Sequence, residues 1–339
     1  MKKIVLSLFL ASLMLVFTGC SCSNEATLSF DNLWGGKSIG YKESLSYSVA
    51  YSSDYAENNF SFVKADELSS LAVNISGTYT EENEIISKQD ASIPQKVKEN
   101  AVFNSIDHTS SIIRSVTKLN LSAVYTMGDK TETSEDFISS ESYFYNVDDS
   151  FAPIYTEREI DYKYPYVTSN RISLNELKGK DYTEYADKKY AVRTEYGEGK
   201  ETETEYEYTL KTIIDNSSLL LALRNKNIDL DASYLASVVH PAYEKAQSLT
   251  IKRFADLNKT ITFNYNGEEK TIDFAVKGLS FGMNSTNNSG LKQLVFVQNG
   301  EKENINKSLI VEYVSPLVEY SGFYKMGALV YTLNGATYA

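Results

Sequence analysis

The chain has 339 residues and a net charge of −12, with 26 Tyr, 15 Phe and only 5 Pro. An acidic protein repels phosphate backbones and anionic bilayers alike, so nucleic acid is excluded as a partner class, while the length admits a sizeable core. The aromatic, proline-poor composition suits pleated strands, and the two cysteines, Cys20 and Cys22, leave the body of the chain without a disulfide or a catalytic thiol.

Met1-Lys2-Lys3 forms a short basic start, and residues 4–17 are apolar over a length typical of a signal peptide rather than a spanning helix. The stretch ends Val16-Phe17-Thr18-Gly19-Cys20. That ending resembles the lipobox of bacterial lipoprotein signal peptides, with Phe17 standing where leucine is commoner. The resemblance implies that Cys20 is the lipid-attachment residue, that residues 1–19 are removed, and that two acyl chains, palmitate among them, hold the protein to the extracytoplasmic face of a membrane. An ordinary secretory signal or an anchor helix is the alternative. Without Lys2 and Lys3 the chain keeps 31 basic against 45 acidic residues, a net charge of −14. Residues 20–30 are small and polar and read as a tether, and residues 31–339 read as a single β-rich domain.

Trp34 precedes an alternating strand over residues 45–51, and residues 71–79 form another. Pro94 suits the first turn of a helix running to about residue 106. Three long strands follow: residues 119–127 before a Gly128-Asp129 turn, residues 137–145, and residues 154–164. Ser173 and Glu176 have the spacing of a capping box on a short helical turn.

Glu201, Glu203, Glu205 and Glu207 then alternate with Thr202, Thr204, Tyr206 and Tyr208, the pattern of a half-buried strand with an acidic outer face. Gly197-Glu198-Gly199 suits a three-residue hairpin loop. Pairing Tyr196 with Lys200 would set Arg193 opposite Glu203 and Val192 opposite Thr204. Asp215 or Asn216 can cap a helix whose Leu219, Leu220 and Leu223 form an apolar stripe. Residues 231–239 suit a second helix, ended by Pro241. Asn266-Gly267 between residues 260–265 and 268–274 signals a type I′ hairpin with Ile261 opposite Ile272. Residues 291–297, 309–314, 318–324 and 328–333 complete the strands.

The catalytic constellations fail on their context. Gly278-Leu279-Ser280-Phe281-Gly282 matches a nucleophile elbow, but a loop follows it and both His108 and His240 precede it. A glycine-flanked turn is the plainer reading. Ser61-x-x-Lys64 and Ser115-x-x-Lys118 lack the further elements of penicillin-recognising enzymes. Two distant histidines make no zinc site, and Asp148-Asp149 and Asp229-x-Asp231 lack the glycine and distal glutamate of a calcium loop. The expectation is no enzyme, no metal and no cofactor.

The fold expected is α+β, mostly β: a large curved antiparallel sheet, half-barrel or open barrel, with a few short helices covering one face. The order of acidic hairpin, short leucine helix, Asn-Gly hairpin and C-terminal strands, over residues 188–333, resembles bacterial envelope half-barrels of the lipoprotein-carrier kind. That resemblance implies a lipophilic cleft but transfers no ligand-binding residue. Tyr206, Tyr208, Leu219 and Leu223 are the candidates to line such a cleft for an apolar or amphipathic ligand. A surface adhesion or carbohydrate-binding module is the alternative, with Tyr162, Tyr164, Tyr206 and Tyr208 as its aromatic candidates.

Overall fold

The computed structural model describes residues 26–27, 34, 36–55, 70–147, 150–168, 171–186, 190–197, 200–207, 216–224, 228, 233–238, 247–283, 293–300, 302, 305, 308–316 and 327–339. Residues 1–25 with Cys20 and Cys22, Tyr208 and residues 317–326 lie outside them.

Among the described residues fifteen strands join one sheet. The N-terminal set is β1 (Ala26–Thr27), β2 (Lys42–Ser52), β3 (Leu71–Ser87), β4 (Ser111–Met127), β5 (Lys130–Val147), β6 (Ser150–Thr168), β7 (Arg171–Ala186), β8 (Tyr190–Gly197) and β9 (Lys200–Glu207). The C-terminal set is β10 (Ser233–Val238), β11 (Gln247–Tyr265), β12 (Glu268–Met283), β13 (Gln293–Gln298), β14 (Ile310–Pro316) and β15 (Ala328–Tyr338). From β2 to β9 each strand pairs with the next, and β10 to β15 do the same. The two runs join because β15 pairs antiparallel with β2, where Lys42 and Ala339 exchange backbone hydrogen bonds of 3.0 and 2.9 Å. The sheet also curls back on itself: β11 meets β15 in parallel at Asn264–Gly335 and Tyr265–Ala336, so β11–β15 close into a ring. Closure removes exposed strand edges in that half, which is what makes such a sheet barrel-like. A large, mostly antiparallel sheet with few helices is the fold.

Local chemistry explains the best-defined corners. Asn266 and Gly267 both have positive φ, 51° and 90°, as a type I′ turn requires, and Ile261 faces Ile272. Gly128, at φ 61°, turns β4 into β5. Asn100 splits the expected helix of residues 94–106 into α1 (Gln95–Lys98) and α2 (Ala101–Ser105), because its side chain accepts from Val102 N and Phe103 N and so starts a new helix.

The helices divide between the two faces of the sheet. On β4, Ile113 joins the main interior cluster, whereas its neighbour Ile112 joins a smaller one with Val97, Phe103 and Tyr143. The pair α1–α2 therefore covers the outer face, and the third helix, α3 (Asn216–Arg224), packs in the interior. Leu219 to Arg224 are all buried, so α3 is enclosed rather than laid on one stripe.

Four local expectations are corrected. The helix expected over residues 231–239 is β10, because Ser233–Val238 pair along β11 and pairing outweighs local propensity. The capping box at Ser173 is an irregularity within β7: the Ser173 hydroxyl accepts from Asn175 N two residues on, while Pro165 faces Leu177 and Tyr166 faces Ser173. The acidic hairpin closes with Gly197 opposite Lys200, one residue from the expected register, so Arg193 faces Thr204 and Thr194 faces Glu203. Residues 278–282 are no turn; they run inside β12, with Gly278 between Ala255 and Phe296. An added Cβ there would meet the Phe254 ring at 2.7 Å, and that close ring is the reason for the glycine.

Candidate functional site

Strand alternation places residues 43, 45 and 47 of β2 on the interior face, and the register carries that phase across the neighbouring strands. One interior row runs Tyr47, Tyr79, Leu119, Ile138, Ile160 and Tyr182, apolar or aromatic at every strand. The next two rows change character. Glu81, Thr117, Ser140 and Arg158 lie opposite one another in sequence, and beside them lie Glu43, Asn83, Ser115, Ser142 and Thr156. Beyond them Ile85, Ile113 and Phe144 restore the apolar face. A polar belt two residues wide thus crosses five strands between apolar bands, and all nine of its side chains are buried.

Burying polar groups costs free energy unless they are hydrogen-bonded. At one end the belt meets this with charge. Arg224, the last residue of α3 and 2% exposed, forks onto Glu43 through Nη1 and Nη2, both at 2.7 Å. Its Nη1 also donates to Glu81 at 3.0 Å, and its Nε donates to the Ser308 carbonyl at 2.9 Å. Asn83 Nδ2 bridges the same carboxylates, at 3.1 Å to Glu43 and 2.6 Å to Glu81. Two carboxylates therefore share one guanidinium. Burial raises the Glu81 pKa above its usual value of 4.5; Arg224 opposes this and Glu43 reinforces it. Burial alone would lower the Arg224 pKa, but the Glu43 and Glu81 carboxylates outweigh it and hold it well above the usual arginine value. Tyr47, beside Glu81, donates its hydroxyl to the Ile310 carbonyl at 3.1 Å, tying the cluster to β14.

Further along the belt, Ser142 and Thr156 share a hydroxyl hydrogen bond of 2.7 Å. Asn83 Oδ1 and Ser140 Oγ are buried and have no hydrogen-bond partner among the described residues. Each leaves polar capacity open inside the sheet.

Leu219 and Leu223 of α3 are enclosed in the interior cluster beside this belt. Tyr206 lies in β9 opposite Ala191, its side chain outside the described residues, as is Tyr208. Tyr162 is 1% exposed and Tyr164 is half-buried against the core, so neither offers an external aromatic platform. Ser280 lies within β12 and its hydroxyl donates to the Lys252 carbonyl. Trp34 is buried. Among the described residues no three His, Cys, Asp or Glu side chains cluster to hold a metal, and no helix is long and apolar enough to cross a membrane.

The belt itself went unread in the sequence, although a signal was there. Glu81 and Asn83 stand in the apolar phase of Ile75, Tyr79 and Ile85, and Ser115 and Thr117 stand in that of Ile113 and Leu119. A polar pair repeated in the core phase of successive strands marks a polar interior.

No protein-family model matches the chain, and no curated protein matches it in sequence. Among solved structures, a beta-barrel-like protein of a domain of unknown function from Brucella abortus is similar at a TM-score of 0.44 and 7% identity. The likeness covers 89% of this chain and 100% of that one.

Proposed function

We propose that the protein is a non-enzymatic, membrane-anchored lipoprotein of the extracytoplasmic face that binds an apolar or amphipathic envelope component inside its curved sheet. The observation that carries this reading is the polar belt set between two apolar rows of the interior. Such a face is itself amphipathic: hydroxyls, amides and a charge cluster suit a polar head, and the flanking Tyr, Leu and Ile rows suit apolar chains. The open capacity on Asn83 Oδ1 and Ser140 Oγ supports it, since a guest's polar atoms would satisfy both. Contact with Leu219 and Leu223 requires α3 to shift within the interior. Attachment rests on Cys20, where two acyl chains would anchor stably and one only marginally.

Native mass spectrometry of the full chain purified from membranes tests the reading. The expected result is a non-covalent lipid adduct on top of any fixed acyl modification, exchangeable with added fatty acid or phospholipid and reduced when Ser140 is changed to Leu. A single adduct-free mass with no uptake of either lipid refutes it.

A further inference from the structure

The outer face of the same strands carries a second feature. Residues one position out of phase with the belt form a straight row across five strands: Lys118 opposite Ser139, Ser139 opposite Glu159, Glu159 opposite Thr183, and Thr183 opposite Thr194. With strands spaced about 4.8 Å apart, the row presents hydrogen-bonding groups at even intervals over about 19 Å. It forms the floor of a groove of about 610 Å³, within the range of small-molecule sites. Tyr196 stands at the far end, 43% exposed, with its hydroxyl 3.3 Å from that of Thr183.

One wall of the groove is a pair of glutamates. Glu141 and Glu157 sit directly opposite each other on β5 and β6, an arrangement that destabilises a sheet unless it is compensated. Here it is: Glu141 accepts from Arg114 Nε and the Tyr143 hydroxyl, both at 2.6 Å, and Glu157 accepts from the Tyr155 hydroxyl at 3.0 Å and lies 3.5 Å from Lys96 Nζ on α1. The tyrosines come from the small cluster beneath α1–α2, so a packed core fixes the orientation of both carboxylates. Preoriented acceptors lose little entropy when they meet a ligand.

The charges decide the ligand class. Four cationic residues border the groove, but Arg158 is buried in the inward-facing phase of β6; on the outer face Lys96, Arg114 and Lys118 balance Glu141, Glu157 and Glu159. A balanced site gives no net attraction to a polyphosphate or other polyanion. Val116 is the one aliphatic side chain in the lining, so there are no apolar pockets for the side chains of a peptide. Hydroxyl, carboxylate and ammonium groups around an exposed aromatic suit a molecule that is polar at its edges and apolar on its faces. We infer that the groove between α1 and Tyr196 binds a neutral oligosaccharide lying across β4–β8, with Tyr196 stacking on a sugar face, Glu159 and the Glu141–Glu157 pair accepting from sugar hydroxyls, and Lys118 donating. This site does not depend on whether the interior takes a lipid.

The test uses full-chain protein in a detergent without a sugar head, labelled and applied to an array of neutral glycans alongside polyanionic glycans and immobilised peptides. The expected result is binding to a subset of neutral glycans, weakened about tenfold by Tyr196→Ala and about tenfold by Glu159→Gln. Tyr55→Ala, which removes an exposed tyrosine elsewhere, should leave binding unchanged. Circular dichroism and the urea midpoint check that each variant folds. Binding to no neutral glycan, a preference for polyanions or peptides, or neutral-glycan binding indifferent to both groove substitutions overturns the proposal.

Discussion

Replacing Arg224 with Met removes the guanidinium while keeping most of the apolar stem of the side chain. Four donated hydrogen bonds disappear, three to Glu43 and Glu81 and one to Ser308. The carboxylates stay buried with Asn83 Nδ2 as their remaining shared donor. Breaking one side of a buried ion pair costs about 3–5 kcal/mol because the other side remains desolvated. The upper end applies at neutral pH, because two buried carboxylates then face each other with no guanidinium between them. Glu81→Gln is the informative contrast. It removes the surplus carboxylate but keeps an acceptor for Arg224 and Asn83, so its cost should be about 1 kcal/mol or less. Proton linkage gives the sign of the pH effect. The folded Glu81 pKa is raised, so its contribution is fully present below the usual value of 4.5 and is lost as pH rises through the folded value. Stability of the unmodified protein should therefore fall over that rise, Glu81→Gln should flatten it, and the deficit of Arg224→Met should grow with pH. Urea unfolding of the full chain from acid to neutral pH measures all three. If Arg224→Met costs less than about 1 kcal/mol at neutral pH, the cluster is not what docks α3, and the reasoning fails.

Two further outcomes are expected. Gly77→Ala places a Cβ over the Asn120 carbonyl oxygen and 2.9 Å from Leu121 Cα, in backbone that has no flexible atoms to yield; a loss of about 3 kcal/mol should appear as a lowered urea midpoint. On the proposed attachment at Cys20, Cys20→Ser should abolish labelling of cells by a clickable fatty acid while Cys22→Ser retains it, because serine lacks the thiol that would carry the lipid, and the unlabelled variant should also lose its acyl anchoring. Label that survives the first change and vanishes in the second would make Cys22 the attachment residue.

Much of the sheet was legible in the chain. Leu45, Tyr47 and Val49 alternate with polar residues and are buried, and the Asn266-Gly267 turn sets a register that places Ile261 against Ile272. Such features are local: a period of two and a turn with positive φ depend only on neighbouring residues. The one-residue slip of the acidic hairpin shows where local rules stop, since a two-residue and a three-residue closure around Glu198 both satisfy the chain. Residues 233–238 show the same limit, being helical by pattern and a strand because β11 lies alongside. Arg224 read as the end of a leucine helix, and nothing near it in sequence names Glu43, 181 residues away, as its partner. Both candidate sites are products of register across five strands, with Ser140 in the inner belt and Ser139 in the outer groove. Composition and alternation by themselves determined that this is an aromatic, acidic, strand-built protein. Only the tertiary pairing decided which residues share a face, because the direction of a side chain is set by its own strand but its company is set by the strands beside it.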